Sequence, residues 1–214
     1  MKNALAAALL AAALGGALPA RAQVFGQFTD AVTVPMNGHV FGAYLNASEN
    51  VTGGLAQLRL SFYPNIDFGF HGGLTRLDPG NAPDKLTTLR LGADVRWQVA
   101  QASQGSAMDV AVGGALGVET AANYKVISLG PSVVTSRRLG GGGHGGIVPY
   151  AGLALHFSSR DAFAKEDSYI SVPLRLGMEA WVAPEVRIVA ELQLFVSDPY
   201  TDDVGFAAGV NLPF

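Results

Sequence analysis

The stretch Asp203-Val204-Gly205-Phe206-Ala207-Ala208-Gly209-Val210-Asn211-Leu212-Pro213-Phe214 reads as a single alternating strand. Side chains of an extended chain point to opposite sides with period two, so Val204, Phe206, Ala208, Val210, Leu212 and Phe214 share one face. Gly205, Ala207, Gly209 and Asn211 share the other. One face is apolar, the other is small or polar, and the strand closes on an aromatic residue.

Nine further segments of this type precede it, spaced about 20 residues apart and separated by turn-formers. They cover residues 39–47, 55–62, 66–76, 86–99, 109–119, 124–136, 147–158, 169–182 and 186–196. The fourth is the clearest: Leu89, Leu91, Ala93, Val95, Trp97 and Val99 alternate with Arg90, Gly92, Asp94, Arg96 and Gln98. Strands of about ten residues match the length needed to cross a bilayer at barrel tilt.

Residues 1–22 read as a signal peptide, with Lys2 as the positive n-region, an apolar run from Ala4 to Ala20 and an Ala20-Arg21-Ala22 cleavage site. The mature chain then begins at Gln23. Residues 23–38 form an N-terminal segment for which three roles stay open: a periplasmic stretch, a lumen plug or an extra strand. The barrel itself occupies 39–214.

Composition narrows the class further. Losing Lys2 and Arg21 leaves 12 basic against 17 acidic residues, a net charge of −5 that excludes nucleic acid as a partner. There is no cysteine, which removes disulfides, thiol catalysis and thiolate metal sites. The chain is 49% apolar, carries 27 glycines and has only 14% charged residues, where a soluble domain usually has about a quarter. Without a later apolar run long enough for a helix, any membrane span must be a closed barrel, which satisfies its own backbone in lipid.

The expected fold is therefore all-β: one antiparallel up-and-down transmembrane barrel of about ten strands, with eight left open. The polar faces are rich in Gly, Ala and Ser, a poor soluble surface but a good crowded lumen. The apolar faces of ten strands also exceed what the inside of a small barrel holds. The alternative is a soluble secreted ligand-binding barrel with its apolar face turned inward.

Arg59, Asp67, Arg90, Asp94, Arg96, Asp109, Glu119, Arg175, Glu179, Arg187 and Glu191 share the polar parity and are expected in the lumen. Mixed signs in a low-dielectric tube should pair, because an unpaired buried charge is expensive. They serve either as a filling ladder or as a charged gate. Parity also requires cross-strand partners to face the same way. A three-residue Val182-Ala183-Pro184 loop would then pair Glu179 with Arg187 and Arg175 with Glu191. With both termini periplasmic, the longer connections 48–54, 78–85, 159–168 and 197–203 lie outside the cell. Trp97, Trp181, Tyr63 and Tyr169 fall near strand ends, where interfacial aromatics are expected.

Leader, alternating strands and terminal phenylalanine together resemble the small outer-membrane β-barrel proteins of Gram-negative bacteria, in the broad group of the outer membrane protein A and W barrels. The resemblance implies a cell outer-membrane location, with outer-membrane lipid, lipopolysaccharide and the outer-membrane assembly machinery as partners. It implies that Phe214 belongs to the assembly signal, but no particular activity; the expected role is structural, interaction-based or narrow transport, with no cofactor or metal expected. A second resemblance is local. His156-Phe157-Ser158, followed by Glu166 and Asp167, is similar to the catalytic segment of outer-membrane lipid A deacylases, where Ser is the nucleophile and His the base. Ser159 stands where that family has Asn, the acid lies too close to His156, and parity puts His156 and Ser158 in the lumen. The chain is read as non-enzymatic, with the deacylase as an alternative.

Overall fold

The computed structural model describes residues 27–48, 51–77, 85–140, 146–162, 165–196 and 204–214. Its strand segments are β1 (His39–Ala47), β2 (Val51–Tyr63), β3 (Ile66–Leu77), β4 (Leu86–Ala100), β5 (Asp109–Ala121) and β6 (Tyr124–Ser136). They continue as β7 (Ile147–Ala154), β8 (His156–Ala162), β9 (Lys165–Ser171), β10 (Pro173–Ala183), β11 (Val186–Phe195) and β12 (Val204–Pro213). β7 and β8 hold one register against β6, running through Ser132↔Ala154 and Leu129↔Phe157. β9 and β10 likewise hold one register against β8 and β7, through His156↔Ser171 and Leu174↔Leu153. Each pair is a single strand interrupted for one residue, at Leu155 and at Val172, so the barrel has ten strands.

Every neighbouring pair is antiparallel. β1 meets β12 through Val40↔Pro213, which joins the first strand to the last, and β5–β6 pairing closes the ring. Closure removes the sheet edge around the ring, the condition for burying strands in lipid, while β9 is paired on one side only, to β8, among the described residues.

Burial follows the parity read from the sequence. Arg59 is 1% exposed and Glu179 0%, while Leu45 is 74% exposed and Leu129 58%. The charged face is inside and the leucines are outside, which is the arrangement of a barrel in lipid and the reverse of a soluble one. In water such an exterior would be one continuous aggregating surface.

Several sequence expectations need correction. β2 begins at Val51 rather than residue 55, and most of 159–168 is strand rather than connection. There Arg160 faces Asp167 and Asp161 faces Glu166, so polar cross-strand pairs carry β8 and β9 past the apolar belt. Residues 1–26, with the signal peptide and its cleavage site, and residues 78–84, 141–145 and 197–203 lie outside the described part.

The β10–β11 register has the expected parity but is slid by two residues. Trp181 faces Arg187, Glu179 faces Val189, Gly177 faces Glu191 and Arg175 faces Gln193. The hairpin turns at Pro184-Glu185, with Ala183 paired to Val186, and a bulge between Trp181 and Ala183 takes up one residue. That bulge restores the parity a two-residue turn would otherwise break. The β2–β3 hairpin uses the same device, with Tyr63↔Ile66 at the turn and a register shift between Leu60 and Tyr63. Asn65 closes that turn at φ 62°, a left-handed conformation asparagine tolerates.

A lumen filled by an N-terminal segment and a buried charge network

Residues 27–34 run inside the barrel and residues 35–38 lead from them to β1; the backbone of 27–34 is held by side chains from many sides. Arg175 Nη1 donates to the Gln27 carbonyl at 2.9 Å, and Asn211 Nδ2 to the Phe28 carbonyl at 3.0 Å. Arg96 Nη1 donates to the Asp30 carbonyl at 2.6 Å. The amides of Ala31, Thr33 and Val34 donate to Ser136 Oγ at 3.1 Å, Gln98 Oε1 at 3.2 Å and Asp67 Oδ2 at 3.0 Å. These partners come from β3, β4, β6, β10 and β12. The segment therefore occupies the lumen, and of the three roles left open it takes the plug position. Phe28 anchors it by stacking on Tyr44, with ring centroids 4.2 Å apart. Phe28, Ala31, Tyr44, Tyr150 and Val189 belong to one buried apolar cluster.

Below the plug, toward the barrel end that carries His39 and Phe214, lies the densest charge cluster. Arg59 Nη2 lies 2.5 Å from Asp67 Oδ1 and 2.7 Å from Asp94 Oδ1. Arg96 Nη2 lies 2.7 Å from Asp67 Oδ2, and His71 Nε2 lies 3.0 Å from Asp94 Oδ2. Two arginines thus meet two aspartates, and all four are buried. Asp67 and Arg96 face each other directly across β3 and β4. Arg59 and Asp94 sit two strands apart with Gly69 between them. A Cβ on Gly69 would collide with Asp94 Oδ2 and come within 2.6 Å of Arg59 Nη1. Glycine at 69 is what lets this pair close.

The same construction recurs on the opposite wall. Gly177 faces Tyr150 on one side and Glu191 on the other, and Tyr150 lies across it to donate to Glu191 Oε2 at 2.7 Å. Gln193 Nε2 also donates to Glu191.

Of the other sequence-predicted lumen charges, Arg90 and Glu119 are direct cross-strand partners, with Nε to Oε1 at 3.1 Å. Thr88 Oγ1 donates to the same carboxylate. Glu179 and Arg187 approach diagonally at 3.5 Å. Arg175 does not face Glu191: the slid register sends it to Gln193, and its guanidinium holds the plug. Phe214 lies at the strand end, its amide donating to the His39 carbonyl at 3.0 Å and its ring stacked on His39 at 5.4 Å.

Sequence reading misplaced two of the aromatics. Trp97 and Tyr63 are exposed on the outside, as expected of a girdle. Trp181 shares the parity of lumen-facing Glu179, and the Arg138 and Arg187 guanidiniums lie over its ring. Tyr169 pairs with lumen-facing Ser158. His156 and Ser158 are both buried in the lumen, and Ser158 Oγ is 2.7 Å from Ser128 Oγ. Among the described residues no cluster of His, Asp or Glu is arranged to hold a metal.

No protein-family model and no curated protein matches the chain. Among solved structures it is similar to an outer-membrane channel from Pseudomonas putida F1, at TM-score 0.50 and 9% identity over 90% of this chain and 100% of that one. The fold is that of an integral outer-membrane β-barrel. A looser likeness is to the N-terminal β-barrel domain of OprF from Pseudomonas aeruginosa, at TM-score 0.40 and 10% identity over 84% of this chain and 98% of that one.

Proposed function

We propose that the protein is a non-enzymatic barrel exported by its leader to the outer membrane, closed at rest, with a structural or narrow, gated transport role. The observation that carries this reading is the N-terminal segment, bonded through its backbone to five strands across the lumen. An open diffusion pore has no such filling. The His156-Ser158 pair gives the deacylase alternative little support, because lipid substrate would lie on the other side of the wall. The outward leucines oppose the soluble barrel.

The test is conductance in planar bilayers. The full chain should give no steady open level, and deletion of residues 27–34 should give a sustained one. A steady open conductance in the full chain would contradict the proposal.

The end carrying His39 and Phe214 is placed in the periplasm, and lipid, lipopolysaccharide and the assembly machinery are the expected partners. Phe214 acts here as part of an assembly signal. Replacing it with lysine should lower outer-membrane levels, and a tag at 197–203 should be reached on intact cells where one at 141–145 is not. Normal levels, or the reverse labelling, would sink these assignments.

A further inference from the structure

The buried acids of the barrel wall are answered by donors: Asp67 and Asp94 by Arg59, Glu119 by Arg90, Glu179 by Arg187, and Glu191 by Tyr150 and Gln193. The plug carries one acid of its own, Asp30, the only titratable side chain between residues 27 and 38. Asp30 is 4% exposed. Its backbone carbonyl accepts from Arg96, but its carboxylate accepts only the Val32 amide, at 3.0 Å, and forms no ion pair among the described residues.

The surroundings of that carboxylate decide its charge. Glu179 from β10 acts on it with the same sign, and Arg96 from β4 and Arg187 from β11 with the opposite sign. Both arginines are committed elsewhere: Arg187 lies 3.5 Å from Glu179, and Arg96 lies 2.7 Å from Asp67. At the His39–Phe214 end Asp30 lines a cavity of about 510 Å³, together with His39, Arg59, Asp109 and Arg138. Arg59 is held by Asp67 and Asp94, Asp109 accepts from Gln98 and the Ala102 amide, and Arg138 has contacts of its own. An ionised Asp30 would thus sit beside Glu179 with the nearby cations already engaged, an expensive arrangement away from water. The cavity gives a proton entering this mouth a route to it.

We propose that Asp30 is a proton-operated latch: the plug is held in the lumen while Asp30 is protonated and loosens when Asp30 ionises. This latch presupposes the plugged, closed barrel proposed above and adds what regulates it. Burial, and then Glu179, raise the Asp30 carboxyl from its ordinary 3.8 to about 7, against the lowering effect of Arg96, Arg187 and the Val32 amide. With the segment released into water the group returns to its ordinary range. The docked plug therefore holds the proton more tightly than the released one. Its advantage is complete below 3.8 and is lost as pH rises towards about 7. Release should become about 50-fold easier between pH 5 and 7, and only about twofold easier again from pH 7 to 9.

Amide exchange reads the latch without requiring the lumen to conduct. The amides of Ala31, Thr33 and Val34 donate to Ser136, Gln98 and Asp67, so each is protected while the plug is docked. Their exchange is followed by NMR at pH 5 and pH 7 in the full chain folded in lipid nanodiscs, and corrected for the intrinsic pH dependence of free amides. Protection should fall about 50-fold between the two conditions, while strand amides such as that of Leu91 keep theirs. Asp30→Asn cannot ionise but keeps an oxygen for the Val32 amide, and its plug should stay protected at both. Asp30→Ser, also neutral, serves if Asp30→Asn does not fold. Protected amides with no pH dependence, or an equal fall in the folded neutral variant, overturn the latch alone. Amides unprotected at both pH values overturn it together with the plugged reading.

Discussion

Replacing Asp67 with alanine should cost roughly 3–5 kcal/mol of unfolding stability, because it strips the acceptor from buried arginines. Asp67 is fully buried and accepts from Arg59 Nη2, from Arg96 Nε and Nη2, and from the Val34 amide of the plug. The strands would stay, but Arg96 would be left with no carboxylate in the cluster, and Arg59 would keep Asp94 alone. A lone charge in a water-poor lumen is much worse than a neutral side chain there. Replacing Asp67 together with Arg96 should therefore cost less than replacing Asp67 alone. Urea unfolding from lipid vesicles reads both variants. Equal midpoints for Asp67→Ala and the parent would contradict the network's structural role.

The second large effect lies on the other side of the wall. Leu91 is 54% exposed near the middle of β4, on the lipid face. Leu91→Arg should cost about 2–4 kcal/mol, the price of a cation at mid-membrane depth, whereas Thr87→Arg near the strand's far end should cost at most about 1. Both positions share a face, so depth alone separates them. The same unfolding assay compares them, and indistinguishable midpoints would mean that β4 does not cross a bilayer in this register.

How much of this was legible in the sequence depended on periodicity. Strand number and facing were readable because leucines and arginines alternate with period two, and no other feature of a barrel is written so redundantly. Strand ends were not. β8 and β9 run on through Arg160↔Asp167 and Asp161↔Glu166, where both faces are polar and alternation vanishes. The β10–β11 register turned on a bulge next to Val182, and nothing in Trp181-Val182-Ala183-Pro184 distinguishes a bulge from a longer loop. Trp181 shows the same limit: its position near a strand end was right, but its side was decided by parity, which pointed inward.

The plug was hidden for a different reason. Residues 27–38 carry no strand or helix period, and they are held through carbonyls and amides that every sequence possesses. The legible trace was on the barrel instead. Gly69 between Arg59 and Asp94, and Gly177 between Tyr150 and Glu191, are gaps sized for long side chains crossing the wall. A row of two long polar side chains with glycine between them across three strands is a contact that could have been read from register alone.

The central claim is that the segment before β1 sits inside the barrel, and a disulfide tests it most directly. The chain has no cysteine, so Ala31→Cys with Ser136→Cys introduces the only two. The Ala31 amide lies 3.1 Å from Ser136 Oγ, which places the two residues in direct contact although they are 105 positions apart. Mild oxidation of the double variant assembled in the outer membrane should give a nearly complete intramolecular cross-link, seen as a mobility shift that reductant reverses. Free thiols at both positions after oxidation, in a barrel that is otherwise folded, would place the segment outside the lumen.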